Sequence, residues 1–366
     1  MSVAIIGPSE RFLSGIAYYT WKMSTNLDAK PLLYRDMLPK FLFPGKDRVG
    51  EVSTKISYDD PVYLDWWNPW TWYKAIKEAT LRDLLIVEWW SSSVAHMPFI
   101  ITLFSGKPYI MEMHEISEPL EDRNILIRFY AKLMTYLMLS RASKIVLHSR
   151  EDLYKIYPGK PSDALYETSQ YYRKYFTGKY AVIPHAIYDQ YKKRNSDYKN
   201  LIFDILYFGL IREYKGVDYL IAGYKKMPPT HKTVLHIVGE NWTDKEYKEE
   251  VFPMIVPIVG YQSDEDVEFW FNTVDVVVLP YLRASQSGVA HIAMHYGLPI
   301  IASAVGGLLE LSDYEGITYV PPANSDAIAE ALETVYQNRG KRYKAPERLE
   351  WKNIAQQWRD LIVEVY

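Results

Sequence analysis

Short, continuously apolar runs punctuate the first half of the chain: VAIIG (3–7), LLIVEWW (84–90), PYIMEMH (108–114), KIVLHS (144–149) and YAVIPH (180–185). A second series follows: DILYFG (204–209), VLHIVG (234–239), VDVVVLP (274–280), PIIAS (299–303) and ITYV (317–320). Neither series alternates apolar with polar positions, so each run predicts a parallel strand covered on both faces. Between runs, GVDYLIAGYKKM (216–227) and SDAIAEALETVYQN (325–338) space their apolar residues three and four apart, as helices do. The alternation predicts an α/β fold of two doubly wound, Rossmann-like domains. The polar stretch YDQYKKRNSDYKN (188–200) separates the two series and predicts a linker, giving domains over 1–190 and 191–349. Two such domains are expected to face each other across a cleft at the carboxyl ends of their strands, where open sheets bind ligands. No internal repeat is present, so a solenoid is not expected.

Composition narrows the function classes. A chain of 366 residues is long enough for two cores, and 48% hydrophobic with 24% charged residues is globular rather than disordered. The net charge of -3 gives no basic surplus for nucleic acid. With no cysteine, disulfides, thiolate metal sites and cysteine nucleophiles drop out. The start, MSVAIIGPSE, lacks the basic and apolar regions of a signal peptide, and no uncharged apolar run reaches 18 residues, so a cytoplasmic protein is expected.

The chemistry concentrates in the second half. YFGLIREYKGVDYLI (207–221) places a strand, a glycine turn, Arg212, Lys215 and Gly216 before a helix. Backbone N–H groups and the helix dipole at such a turn favour an anion, and the two cations complete the neutralisation. A solvated turn with surface charges is the other reading. SQSG (285–288) precedes a predicted helix, where Ser285, Gln286, Ser287 and the amides of Gly288 and Val289 can donate to phosphate or sugar oxygens, or where a serine merely caps the helix.

These segments resemble a known family. YFGLIREYKGVDYLI, then VDVVVLPYLRASQSGVAHIAMHYGLPIIASAVGGLLEL (274–311), then GITYVPPANSDAIAEALETV (316–335) are similar, in order and spacing, to the donor half of the family-4 retaining glycosyltransferases with the GT-B fold. The likeness runs from about Leu206 to Val335. It implies a nucleotide-sugar donor, a glycan or lipid-linked acceptor, no cofactor, and no metal, since protein cations neutralise the diphosphate. Lys215 matches the family's phosphate-contacting lysine. Arg212 stands three residues before it, whereas the common pattern puts arginine directly after the glycine, where this chain has Leu210. The family's two glutamates fall at Ala284 and Ile292, and both acids are gone. Glu310 matches the family glutamate after paired glycines, here Gly306 and Gly307, and is the expected displaced carboxylate; a first-turn helix glutamate is the alternative.

In the first half, Gly15 resembles the glycine that opens the first helix beside the diphosphate. His114, at the end of a predicted strand, resembles the family histidine on the acceptor side, placed to steady the sugar or assist proton transfer. Glu88, Glu112 and Glu115 are stand-in acids on neighbouring strand ends. The tryptophan-rich stretches 64–76 and 87–100 suit sugar stacking or core packing. NILIRFYAKLMTYLMLSR (124–141) reads either as a helix in peripheral membrane contact, which would place the chain at the inner membrane face, or as a buried helix with snorkelling cations. The tail LEWKNIAQQWRDLIVEVY (349–366) resembles the family's closing helix, which returns to the first domain. The retained-configuration transfer competes with a catalytically idle GT-B homologue serving as a scaffold, which the missing glutamates would suit, and with a GT-B sugar-nucleotide epimerase, for which no acid pair is evident.

Overall fold

Fourteen strands in two sheets account for the apolar runs among the described residues of the computed structural model, which are 1–11, 15–36, 55–90, 92–114, 125–150, 179–194, 201–251, 253–284 and 286–366. The chain divides into two units, Met1–His185 with Trp351–Tyr366, and Ala186–Glu350. The division falls between His185 and Ala186 rather than after Gln190.

The first unit is built on a parallel sheet of order β3-β2-β1-β4-β5-β6-β7. Its strands are β1 Val3–Pro8, β2 Lys30–Asp36, β3 Val62–Asp65, β4 Leu84–Trp89, β5 Tyr109–Met113, β6 Lys144–Leu147 and β7 Tyr180–Val182. β1, β4 and β5 are buried along their whole length, which is why their sequences are apolar without alternation. The sequence reading missed β2 and β3, whose three or four apolar residues lie among Lys30, Arg35, Asp36 and Asp65 toward one edge of the sheet. The helices are α1 Gly15–Leu27, α2 Pro69–Thr80, α3 His96–Ser105 and α4 Ile125–Arg141. Of the tryptophan-rich stretches, Trp89 is buried in β4, whereas Trp67 and Trp70 are exposed around the start of α2.

The second unit carries the order β10-β11-β9-β8-β12-β13-β14, parallel except for the β10–β11 pair. Its strands are β8 Phe203–Phe208, β9 Thr233–Gly239, β10 Glu250–Val251, β11 Met254–Val259, β12 Val276–Leu279, β13 Ile300–Ser303 and β14 Ile317–Val320. β11 was also missed because Pro257 interrupts its pattern. β10 pairs only with Met254 and Ile255, so Pro257 lies on an open edge, where a missing N–H is tolerated. Helices α5 Val217–Tyr224, α6 Asp264–Thr273, α7 Gly288–Tyr296 and α8 Ser325–Gln337 complete this unit.

The last helix, α9 Trp351–Val365, belongs to the first unit and packs on α1. Its Trp351 ring lies 5.1 Å from that of Tyr19, and the fully buried Trp358 donates its indole N–H to the Tyr19 hydroxyl at 3.4 Å. Apolar positions Trp351, Ile354, Ala355, Trp358, Leu361 and Ile362 form one buried stripe, the spacing that made the tail legible as a helix.

Two acids interrupt this apolar interior. Glu88 on β4 and Glu112 on β5 are directly paired in register and only 2% and 0% exposed. Burial pushes both carboxyls well above their usual range, and the neighbouring Glu112 adds to the effect on Glu88. The Thr20 hydroxyl on α1 donates to Glu88 Oε2 at 2.5 Å.

Two outcomes are expected. Replacing Trp358 with Ala costs the first unit about 3–5 kcal/mol, read as a lower urea midpoint for that unit's unfolding. For Glu88, the folded pKa is raised, so near and above pH 4.5 the unfolded chain has released a proton that the folded chain keeps. The stability held at low pH is therefore lost as pH rises toward the folded pKa, by up to about 1.4 kcal/mol per pH unit. Glu88→Gln removes that loss, so its melting temperature should gain on the native chain from pH 4.5 to neutrality; equal shifts at every pH would contradict it.

Candidate functional site

β8 ends at Phe208 and the chain turns through Gly209 to Ile211, which bridges Asn241 beyond the end of β9. Arg212 then precedes a single 3-10 turn, Glu213–Lys215, and Gly216 leads into α5. Gly216 has φ +67, and a Cβ there would lie 2.0 Å from the Pro280 carbonyl oxygen, so only glycine lets the turn press against the end of β12. The Tyr214 carbonyl accepts from Leu282 N–H at 2.8 Å and fixes the same approach.

This turn sets the two cations on aromatic faces. Lys215 Nζ lies 3.6 Å from the centre of the Tyr281 ring, and the Arg212 guanidinium carbon 4.5 Å from the Trp242 ring. Both residues are half-buried, and among the described residues neither is paired with a carboxylate. Arg212 Nε is buried without a hydrogen-bond partner. A ring face attracts a cation but leaves its N–H donors unsatisfied, so both remain available to an anion.

Tyr281 links this turn to the serine of SQSG. Its hydroxyl lies 3.4 Å from Ser287 Oγ, and Ser287 caps α7 by accepting from Ala290 N–H at 3.4 Å. Gly288, exposed, and Val289, half-buried, open that helix; Val289 packs beside Gly209. Gln286 is half-buried, and Ser285 lies outside the described residues. The paired glycines follow β13. A Cβ on Gly306, φ +50, would lie 1.8 Å from the Ala284 carbonyl oxygen, and Gly307 N–H donates to that same oxygen at 3.2 Å. The turn Gly306–Leu311 thus lies against the SQSG loop and brings in half-buried Glu310, whose own carbonyl accepts from Arg348 at 2.5 Å. Arg212, Lys215, Gln286, Ser287, Gly288, Val289 and Glu310 therefore all stand just past strand ends of one sheet. Ala284 holds the glycine turn through its backbone, and Ile292 is buried in α7. Neither Tyr281 nor Trp242 was singled out from the sequence; only their places, two residues past Leu279 of β12 and three past Gly239 of β9, mark them.

Gly15 and His114 belong to the first unit, where Gly15 is the exposed first residue of α1. His114 follows β5, and its side chain is 3% exposed. His148 follows β6 and His185 lies beyond β7, and both were passed over in reading the sequence. His114 Nδ1 is 3.3 Å from His185 Nε2, and His148 Nε2 is 3.3 Å from Glu112 Oε1. Tyr19 presents its ring edge-on to all three imidazoles, at 4.5–5.6 Å between centres. Burial, with the neighbouring His148 second, holds His114 well below the usual imidazole range. Glu115 lies outside the described residues.

Residues 202–338 match the family model described as glycosyl transferases group 1. An uncharacterized glycosyltransferase of Methanocaldococcus jannaschii, MJ1607, is 30% identical over 168 residues, 42% of this chain and 43% of that protein. A D-inositol 3-phosphate glycosyltransferase of Pseudarthrobacter chlorophenolicus is 29% identical over 119 residues, 29% of this chain and 27% of that protein. The matched region spans less than half the length of these curated relatives. Among solved structures, Anabaena Alr3699/HepE in complex with UDP superimposes with a TM-score of 0.66 at 17% identity, covering all of both chains. Sucrose-phosphate synthase from Thermosynechococcus elongatus gives 0.64 at 14% identity, covering 100% of this chain and 99% of that one. The fold is GT-B, and residues 202–338 are similar to the glycosyl transferases group 1 family.

Proposed function

We propose that this protein transfers a sugar from a nucleoside diphosphate sugar to an acceptor hydroxyl with retained anomeric configuration, the donor diphosphate resting on Lys215 and Arg212. The observation that carries the reading is the pair of cations with no carboxylate partner among the described residues, set on the Tyr281 and Trp242 rings beside the Ser287 cap of α7. That Alr3699/HepE has been solved with UDP and with UDP-glucose supports a uridine nucleotide as the first to test.

In this reading the bond from the anomeric carbon to the diphosphate oxygen breaks while the cations and the α7 amides take up the charge leaving with the diphosphate. The acceptor hydroxyl approaches the same face, passes its proton to a diphosphate oxygen and bonds to the anomeric carbon. Ala284 and Ile292 offer no carboxylate for a covalent intermediate, so a single front-face displacement suits the site better than two successive ones. His114 takes the role of steadying the sugar or assisting proton transfer. The diphosphate needs no metal ion in this scheme, because protein cations supply the counter-charge.

The same two substitutions favour one other reading, a homologue that binds partners without catalysis. The two separate on nucleotide binding. UDP at a hundredfold excess over its Kd should stabilise the folded protein by about 2.7 kcal/mol, and Lys215→Ala should weaken binding by about tenfold or more. A panel of nucleoside diphosphates that leaves the melting temperature unmoved would favour the scaffold. Mass analysis of products from several donors and acceptors then reads the activity itself.

A lipid-linked acceptor is the acceptor class we favour. α4 exposes Ile125, Leu126 and Phe129 together with Arg128, Lys132 and Arg141 and contains no acidic residue, a composition suited to an anionic lipid surface. No helix among the described residues is long and apolar enough to cross a membrane. The chain should float with anionic vesicles and not neutral ones, and Leu126→Glu with Phe129→Glu should cut the bound fraction about tenfold or more.

A further inference from the structure

We propose that His114, His148 and His185 form a metal site for a divalent cation of the zinc class, separate from the diphosphate cradle. Three adjacent parallel strands end side by side here: His114 directly follows β5, His148 directly follows β6, and His185 lies three residues past β7. One nitrogen from each ring lies within 4.8 Å of the others. The His114 Nδ1 to His185 Nε2 separation of 3.3 Å is close to the edge of a tetrahedron around zinc, about 3.3–3.4 Å for bonds of about 2.0–2.1 Å.

The surroundings have the character of a ligand shell. His148 Nδ1 donates to the Ile183 carbonyl oxygen at 2.9 Å, which fixes its tautomer and leaves Nε2 as the ligand atom. Glu112 Oε1 lies 3.3 Å from that Nε2, at the margin of the three-histidine cluster. The side chains of His148 and Glu112 are 1% and 0% exposed and His185 is 7% exposed, a density of ionisable groups that interiors keep when the groups are paired or hold a metal. Imidazole donors without thiolate select zinc, cobalt or nickel over copper(I). Tyr19 of α1 walls the cluster and Trp351 packs on Tyr19 from α9, so the ion would clamp three strand ends beside α1. Held through Nδ1, His114 would keep a proton on Nε2, which faces Glu112 Oε2 at 4.0 Å.

The test uses tag-free, chelator-stripped full chain and the metal alone, with no nucleotide or acceptor, so its outcome is independent of the transfer reading. Zinc titrated calorimetrically should bind one equivalent and raise the melting temperature, and cobalt(II) should give the intense visible bands of a four-coordinate site. His148→Ala and His185→Ala should each weaken binding about tenfold or more. His231→Ala, which removes a histidine paired with Glu333 in the other unit, should bind as the native chain does. Absence of a zinc equivalent in the native chain would overturn the proposal without any variant, as would undiminished binding by His148→Ala/His185→Ala.

Discussion

Parallel strands that run together must also end together. In each unit the sheet sends the carboxyl ends of adjacent strands to one side, and the chain there has just left the ladder, with its next polar side chains released from the apolar interior. Arg212 and Lys215 follow β8, Trp242 follows β9, Tyr281 and Ser287 follow β12, and Glu310 follows β13. His114, His148 and His185 stand in the same relation to β5, β6 and β7. These groups come from separate strand ends, and the parallel order of each sheet is what sets them side by side.

Within the second unit, Tyr281 is the side chain on which the local arrangement turns. Its face holds Lys215 and its hydroxyl meets Ser287, so a cation from one strand end and a helix cap from another share one rigid ring. An aromatic face suits this purpose better than a carboxylate would. It orients the ammonium without neutralising it, and leaves the full charge for an anion. The glycines at 216 and 306 allow the backbones to close on Pro280 and Ala284, which keeps the three turns in contact. The backbone oxygen of Ala284 thereby does structural work at a position where the side chain carries no acid.

The first unit solves a different problem. Glu88, Glu112 and three imidazoles are buried beneath α1 and α9, where charge is costly. Raised carboxyl pKa values and a lowered imidazole pKa both favour neutral groups, and Thr20 and Tyr19 supply polar and aromatic contacts around them. This concentration of titratable side chains under the returning helix makes α9 part of the site's support as well as of the unit's core.

The apolar runs by themselves determined ten of the strands, because a strand buried on both faces must be apolar throughout, and they determined α9 through its buried stripe. Lys215, Arg212 and the SQSG helix start were likewise legible, since a strand, a glycine, cations and a helix fall within a few neighbouring residues. β2, β3, β10 and β11 were not, because short or proline-containing strands near an edge carry too weak a local signal. Nor could the chain reveal that Tyr281 sits beneath Lys215, that Glu88 lies beside Glu112, or that His185 meets His114. Those pairings join residues distant in sequence, and strand order and register alone bring them within reach.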